Sequence, residues 1–566
     1  MSFSSYSFVF LFLPLTVAGY WLLMHFRTRS EAVGWLICCS IAFYVCASPV
    51  SLLIVLPSIL IDFAIVKLFL LLTPNRVRAR TVLIAVGIIG NIFLLSFFKY
   101  YHFLVATVDT LLGHHYIPAT SALPLGISFL TFQKIAFLCD IFAGNILEVT
   151  FADYLLFTLF FPRTIAGPIV HFKELIPQLR EIRSRQLPQD LAVGFCLFSM
   201  GLFKKCVVAD GLATFVGSAF DLDPSLGPVT LLDAWTGVLA YTLQLYFDFS
   251  GYSDMALGAA RMVGVQLPMN FNSPLKASSM VEFWGRWHIT LTRFLTWYIY
   301  IPLVRRLTRA RVMRRKSVLR GPGSTFPAML SLIGLPTGVT MLISGVWHGV
   351  GWQFVIWGVL HGAYLTVNQA WRLWRPRFWK DEVSYARVMR PVGVSLTFLG
   401  VMLGMVFFRA DSIDRALSIV AGMVGLHGVA PYLAQALQQA GYSFDWMAAW
   451  PPLETHKWLF LALIIVMVCP NTLELMRRFH PAIDFPGPLQ GNGQATSALE
   501  GTSVETPADR RSEGAILKLR QLWAITKSLR QTGLSFNRFT ATMIGVLFTL
   551  GAMAISHSTQ FLYGVF

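Results

Sequence analysis

Charge is scarce in this 566-residue chain: Asp, Glu, Lys and Arg together make up 13% of it. A soluble protein carries about 25%. Too little polar surface is present to coat a water-soluble particle of this size, so most of the chain needs a bilayer as its solvent. Acid is scarcer than base, with 28 Asp and Glu against 45 Lys and Arg and a formal charge of +17. The basic residues gather between apolar runs: Arg27 and Arg29; Arg76, Arg78 and Arg80; Lys173 to Arg185; and Arg305 to Arg320. That spacing fits cytoplasmic loops under the positive-inside rule, with anionic lipid headgroups as neighbours and no nucleic-acid partner. The seven cysteines all lie in or beside apolar runs. They read as small buried hydrophobes rather than a disulfide framework or a metal centre. No phosphate-binding GxxxxGK[ST] loop, dinucleotide GxGxxG turn or zinc HExxH motif occurs. No GxSxG stands in a nucleophile-elbow setting, and His114 and His115 are merely adjacent in an expected loop.

Hydrophobic residues make up 55% of the chain, and the mean hydropathy is +0.61. Apolar runs recur from residue 6 to residue 561, several broken by Gly or Pro. A membrane helix needs about 20 mostly apolar residues, so the runs predict an all-α polytopic membrane protein with about 11–13 transmembrane or re-entrant helices. The first run lacks a cleavage site before a soluble domain and reads as a retained span. The expected organisation is a membrane core over 1–425, then an extramembrane helix and an additional span over 426–484. A disordered polar loop follows at 485–515, and 516–566 holds an amphipathic segment and a final transmembrane helix. The loop is rich in Gly, Pro, Ser, Thr and Gln, a composition that cannot bury enough surface to order itself. Residues 305–320 carry eight Arg or Lys and no acid, as a cytoplasmic loop or surface helix would.

Polar groups inside membrane segments are costly, which makes them functional candidates. Three places qualify. In 344–362, His348 stands between an apolar run and a Gly-rich turn, with Trp347, Trp352 and Trp357 able to wall a cavity. A neutral imidazole there can take a proton from an attacking hydroxyl, or simply cap a helix. His361, thirteen positions on, is too far along to be a same-turn partner. In 282–302, Glu282, Arg286 and Arg293 would share one helix face and His288 the opposite one. An interfacial helix with snorkelling arginines is the plainer reading. In 246–264, Asp248 and Asp254 flank Ser250, Gly251 and Ser253, which suggest a helix break; each Asp could orient a histidine, pair with an arginine or cap a helix.

Together, GYSDMALGAARMVGVQLPMNFNSPLKASSMVEFWGRWHITLTRFLTWYIYIPL (251–303), SGVWHG (344–349) and WGVLHG (357–362) resemble the membrane-bound O-acyltransferase (MBOAT) family, on its alginate O-acetylation branch. LPLGISFLTFQKIAF (123–137), FFPRTIAGPIVHFKEL (160–175) and VFFRADSIDRAL (406–417) add to the likeness, in order along roughly residues 1–425. Gly285 stands where the family pattern FWRRWH usually has a second Arg, and WYIYIPLVR departs from the family's DYLYIPLGG. The resemblance implies helices around a funnel or channel, with His348 catalytic and His288 helping to form the site. Arg286, Trp347, Asp248, Asp254 and Glu282 are the expected supporting residues. It also implies acetyl-CoA or another acyl donor as substrate, with no permanently bound cofactor and no metal. The expected setting is the bacterial inner membrane, and the expected partners are periplasmic polysaccharide acetylation proteins and a polysaccharide acceptor such as alginate or cellulose. D-alanyl transfer to teichoic acid and a transporter without chemistry are the rivals; a transporter would spread polar residues through a pore, whereas here they concentrate near two histidines.

Overall fold

A computed structural model describes residues 1–112, 123–181, 187–222, 227–429, 453–483, 533–559 and 561–562. The expected polar loop at 485–515, the amphipathic stretch up to 533, most of the block at 427–454 and the His114–His115 pair lie outside the described residues. The described fold is helical. It begins with four long helices, α1 (Ser7–Phe26), α2 (Arg29–Ala47), α3 (Pro49–Leu71) and α4 (Val77–Leu112). Their starts are written locally. Thr28 and Glu31 form a reciprocal capping box ahead of α2. Ser48 accepts the Ser51 N–H ahead of α3, with Pro49 in the first turn, where its missing N–H costs nothing.

The middle of the chain supplies α5 (Ile127–Phe142), α6 (Phe151–Leu159), α7 (Phe172–Glu181), α8 (Leu187–Phe203) and α9 (Leu231–Met262). Two short helices follow, α10 (Met280–Trp284) and α11 (Ile289–Leu295), and then the basic α12 (Ile301–Met313). The hairpin of α13 (Leu335–His348) and α14 (Trp352–Trp374) leads to α15 (Glu382–Arg409), α16 (Ile413–Met423), α17 (Leu453–Val468) and α18 (Arg538–Met553). Among the described residues, eight helices are long and apolar enough to cross a membrane. The rest of the helical mass, including α5, α9, α14 and α17, is shorter or more polar. No residue of α12 is buried, which agrees with the surface helix expected at 305–320.

Glycine sets the central packing. Lipid tails are as apolar as leucine, so membrane helices associate through close contact rather than through exclusion of water. Antiparallel α8 and α9 meet backbone to backbone at Gly194–Gly258 and Gly201–Gly251. A Cβ on Gly258 would lie 2.5 Å from the Gly194 carbonyl oxygen, and one on Gly201 would lie 2.6 Å from that of Gly251. The expected helix break at 250–253 does not occur, because Gly251 serves this close approach inside an unbroken α9.

Ion pairs neutralise several of the buried charges. Asp248 and Asp210 both hold Lys205 at 2.7 Å, Asp254 holds Lys204 at 2.8 Å, and Asp190 holds Arg261 at 2.9 Å. Asp62 meets Lys134 at 3.1 Å and accepts from Asn91 at 2.9 Å. Removing one partner of such a pair strands the other in a low-dielectric interior.

The α8–α9 contact generates a direct test. Gly258→Leu should sharply lower both the amount of protein in the membrane and its melting temperature in detergent. Gly34→Leu, at a glycine with open space around it, should leave both unchanged. Equal tolerance of the two changes would show that the close approach does not hold the fold.

Candidate active site

The chain turns sharply between α10 and α11, and His288 sits in that turn with φ 44° and ψ 52°, left-handed for a residue with a side chain. Such a conformation costs about 1–3 kcal/mol and persists only where its surroundings fix it. Asn270 does the fixing. Its Oδ1 accepts from the Thr290 N–H at 3.3 Å, from the Thr290 hydroxyl at 2.9 Å and from His288 Nδ1 at 3.0 Å. Its backbone carbonyl accepts the Ile289 N–H at 3.0 Å. A backbone N–H can only donate, so the side-chain atom is the carbonyl oxygen and His288 Nδ1 carries the proton. The lone pair of the neutral ring is therefore on Nε2. The ring is fully buried, edge to face with Phe249 at 4.8 Å, with Phe129 at 6.3 Å.

His348 is the last residue of α13 and is also buried. A helix end leaves carbonyl oxygens without intrahelical partners. Here α4 supplies them: Lys99 Nζ donates to the carbonyls of Trp347 at 2.6 Å and His348 at 3.2 Å, and the Tyr100 hydroxyl donates to that of Val346. The ammonium also lies at the negative pole of the α13 dipole. Beyond Gly349 the chain reverses into α14, which runs back against α13 at backbone contact: a Cβ on Gly345 would lie 2.3 Å from the Phe354 carbonyl oxygen. The reversal sets Trp357 edge to face with His348 at 5.0 Å and His361 4.7 Å from Trp357. His361, set aside from its distance along the chain, thus joins the cluster. The legible signal was the spacing of Trp357 and His361, one helical turn apart on one face. His361 Nδ1 accepts the Trp284 indole N–H at 3.3 Å.

Trp347 ties the two histidine regions together. It stacks on Phe132 at 4.9 Å and lies 5.4 Å from Phe129, the ring that also reaches His288. His348, His288 and Trp347 therefore share one aromatic chamber. The other candidates stand outside it. Arg286 pairs with Glu282 at 2.6 Å on a partly exposed rim, and Glu282 also accepts from the backbone and hydroxyl of Ser278. The expected common face for Glu282, Arg286 and Arg293 does not form, because the helix breaks at Gly285–His288; Arg293 reaches Glu174 at 2.8 Å instead. Asp248 and Asp254 are engaged by Lys205 and Lys204, so they pair with lysines rather than with a histidine or an arginine. No cluster of three metal-ligating side chains occurs among the described residues.

A small, half-open pocket with about 50 Å³ of free space meets the chamber at Trp284, bounded by Trp284, Thr292, Tyr300, Thr340, Met341 and Gln369 among others. Its Trp284 wall is the residue bonded to His361, and its Tyr300 wall immediately precedes the exposed basic helix α12.

The family model of the membrane-bound O-acyltransferases matches residues 142–319 and 332–404, the stretches that hold both histidines. A "Peptidoglycan O-acetyltransferase" of Helicobacter pylori is 36% identical over 449 residues, covering 75% of this chain and 79% of that protein. The chain belongs to the membrane-bound O-acyltransferase family. A "Probable alginate O-acetylase AlgI" of Azotobacter vinelandii is 34% identical over 75% of this chain and 78% of that protein. A "Teichoic acid D-alanyltransferase" of Streptococcus thermophilus is 28% identical over 50% of this chain and 68% of that protein. The protein is accordingly a membrane O-acyltransferase, and the helical, multi-pass architecture is the one the family resemblance implied.

Lys99 gives this site its stability test. Lys99→Met leaves buried carbonyls of the His348 turn without a donor, at about 1–3 kcal/mol for each stranded group. The variant should melt earlier in detergent, and Lys99→Arg should recover part of the loss. A Lys99→Met protein as stable as the parent would remove the capping role.

Proposed function

We propose that this acyltransferase moves acetyl from a cytoplasmic thioester donor to a hydroxyl of a cell-envelope polysaccharide, with His348 as general base. The observation that carries the reading is the buried aromatic chamber that holds His348 and His288, beside a pocket whose Tyr300 wall immediately precedes the basic helix α12. The basic α12 belongs on the cytoplasmic face by the positive-inside rule, which puts that face at the inner membrane's cytoplasmic side. Arg305, Arg306, Arg309 and Arg311 on it suit the phosphates of a nucleotide-bearing donor such as acetyl-CoA. The hydroxyl and amide groups of Thr292, Thr340 and Gln369 suit a polar, amide-bearing arm reaching inward from there.

The chemistry balances on these residues. The acceptor hydroxyl oxygen attacks the thioester carbonyl carbon while His348 takes the hydroxyl proton. The tetrahedral intermediate then collapses, the C–S bond breaks, and the imidazolium returns the proton to the departing thiolate. His288, with Nδ1–H held by Asn270, offers Nε2 to orient the acceptor or to relay its proton. Arg286 is engaged by Glu282 at the rim, where it serves the approach of substrate rather than the reacting atoms.

The relatives' names point to two acceptors of one chemistry, peptidoglycan and alginate, both presenting sugar hydroxyls outside the cytoplasm. Acceptors of this kind call for periplasmic proteins that complete delivery to the polymer. The D-alanyl relative is less similar and covers less of the chain, which favours acetyl over D-alanyl.

The test is the ester-bound acetate of purified peptidoglycan and of secreted polysaccharide in a deletion strain carrying either the parent gene or His348→Ala. General-base loss is worth about 10²–10⁴-fold. His348→Ala should therefore leave ester acetate at the deletion level with normal protein abundance. Which polymer loses acetate identifies the acceptor. Unchanged acetate in both polymers, with D-alanyl ester or lipid acylation altered instead, would overturn the acetyl reading.

A further inference from the structure

A general base solves half of acyl transfer. The thioester carbonyl oxygen gains a full negative charge as the acceptor adds, and in an apolar chamber that charge needs a hydrogen-bond donor already in place. The obvious cation, Arg286, is held at the rim by Glu282. The Lys99 ammonium is turned toward the carbonyl oxygens of Trp347 and His348. The Trp284 indole N–H is spent on His361, and that of Trp347 is directed at the Ser128 carbonyl at 3.4 Å.

Trp357 is different. Its side chain is 3% exposed, and its indole N–H is buried without an acceptor among the described residues. A donor buried in this way is uncommon, because it forfeits its bond to water and gains nothing in return. A ring chosen for packing alone would be more cheaply made from phenylalanine. The ring of Trp357 is also closely fixed. His348 meets it edge to face at 5.0 Å and 82°, Phe408 lies at 5.5 Å, Trp284 at 5.8 Å and His361 at 4.7 Å. Its backbone is anchored by the next residue, Gly358, where a Cβ would lie 2.6 Å from the Met341 carbonyl oxygen of α13. The helix bearing the base and the helix bearing the free donor are thus locked together at the point where both are needed.

We infer that the Trp357 indole N–H is the oxyanion donor of the reaction, hydrogen-bonding the thioester carbonyl oxygen of the acyl donor as acceptor addition turns it into an oxyanion. The inference rests on the acyl-transfer reading with His348 as base. It gives Trp357 a catalytic role, with the ring as a wall and the N–H as the working group. No proton leaves the indole: the bond strengthens as charge develops and relaxes as the C–S bond breaks. A preformed donor of this kind is typically worth about 10²-fold or more in turnover.

The experiment replaces the N–H while keeping the wall. Trp357→Phe and incorporation of 3-benzothienylalanine at position 357, which swaps the indole N–H for sulfur at nearly the same shape, are expressed in the deletion strain. Ester-bound acetate on the acceptor polymer is measured per molecule of protein in the membrane over a range of expression levels. Both changes should lower acetate per molecule about 10²-fold, with abundance and detergent melting temperature near those of the parent. Parental activity in the benzothienyl protein overturns the inference, even if Trp357→Phe is inactive, because shape and not the N–H would then matter. Loss that merely follows abundance overturns it as well. His348→Ala in the same strains separates the two readings: if it retains activity, the general-base reading fails, whereas an inactive His348→Ala beside an active benzothienyl protein refutes the Trp357 role alone.

Discussion

A helix that stops inside a membrane protein leaves carbonyl oxygens with no water to turn to, and α13 stops at His348, the residue proposed as the general base. Each such oxygen is costly if unpaired. The long helix α4 meets the cost with Lys99 and Tyr100, whose donors reach the carbonyls of three successive residues, Val346, Trp347 and His348. A lysine in this setting would itself be prohibitive without a partner. The helix dipole and the carbonyls supply one, so the cation and the helix end stabilise each other. The orientation of His348 and the position of α4 are consequently one structural decision.

The same economy runs through the rest of the fold. Where the bilayer offers no hydrophobic drive, glycines bring α8 against α9 and α13 against α14 at backbone contact. Most of the buried carboxylates in the membrane core are held by a lysine or arginine. Two of the histidines in the chamber are each aimed by a neighbour. Asn270 sets the tautomer and the left-handed turn of His288, and Trp284 donates to His361. The chamber is therefore preorganised, with His348 at a helix end and His288 in a turn that Asn270 pins, as electrostatic catalysis requires.

Much of this was written in the sequence, and the reasons for the remainder are specific. Low charge and apolar run lengths give the membrane class, and motif order gives the family. His288 and Trp347 do meet at Phe129, and His348 packs on Trp347, as polar and aromatic groups flanking glycine turns suggest. The misreadings share one cause. Local rules treat Ser250, Gly251 and Ser253 as a break and Glu282 to Arg293 as one helix, but packing decides: Gly251 sustains an unbroken α9, while the left-handed His288 breaks the second segment. Lys99 and Asn270 were overlooked, although a lone lysine in the apolar part of α4 is the kind of signal that marks a functional position. The partners of Asp248 and Asp254 could not be read locally, since Lys205 and Lys204 lie more than forty residues upstream.

The central claim is that acyl groups pass from a donor on the cytoplasmic face, through the histidine chamber, to a glycan on the other side. Inverted membrane vesicles, with the cytoplasmic face outward and glycan and periplasmic proteins enclosed, test it most directly. Acetyl-labelled acetyl-CoA is added outside, and ester-linked label on the enclosed glycan is followed. The account predicts label in vesicles with the parent protein and none with His348→Ala. Label that appears equally with both proteins, or only when the acetyl-CoA is placed inside with the glycan, would contradict it.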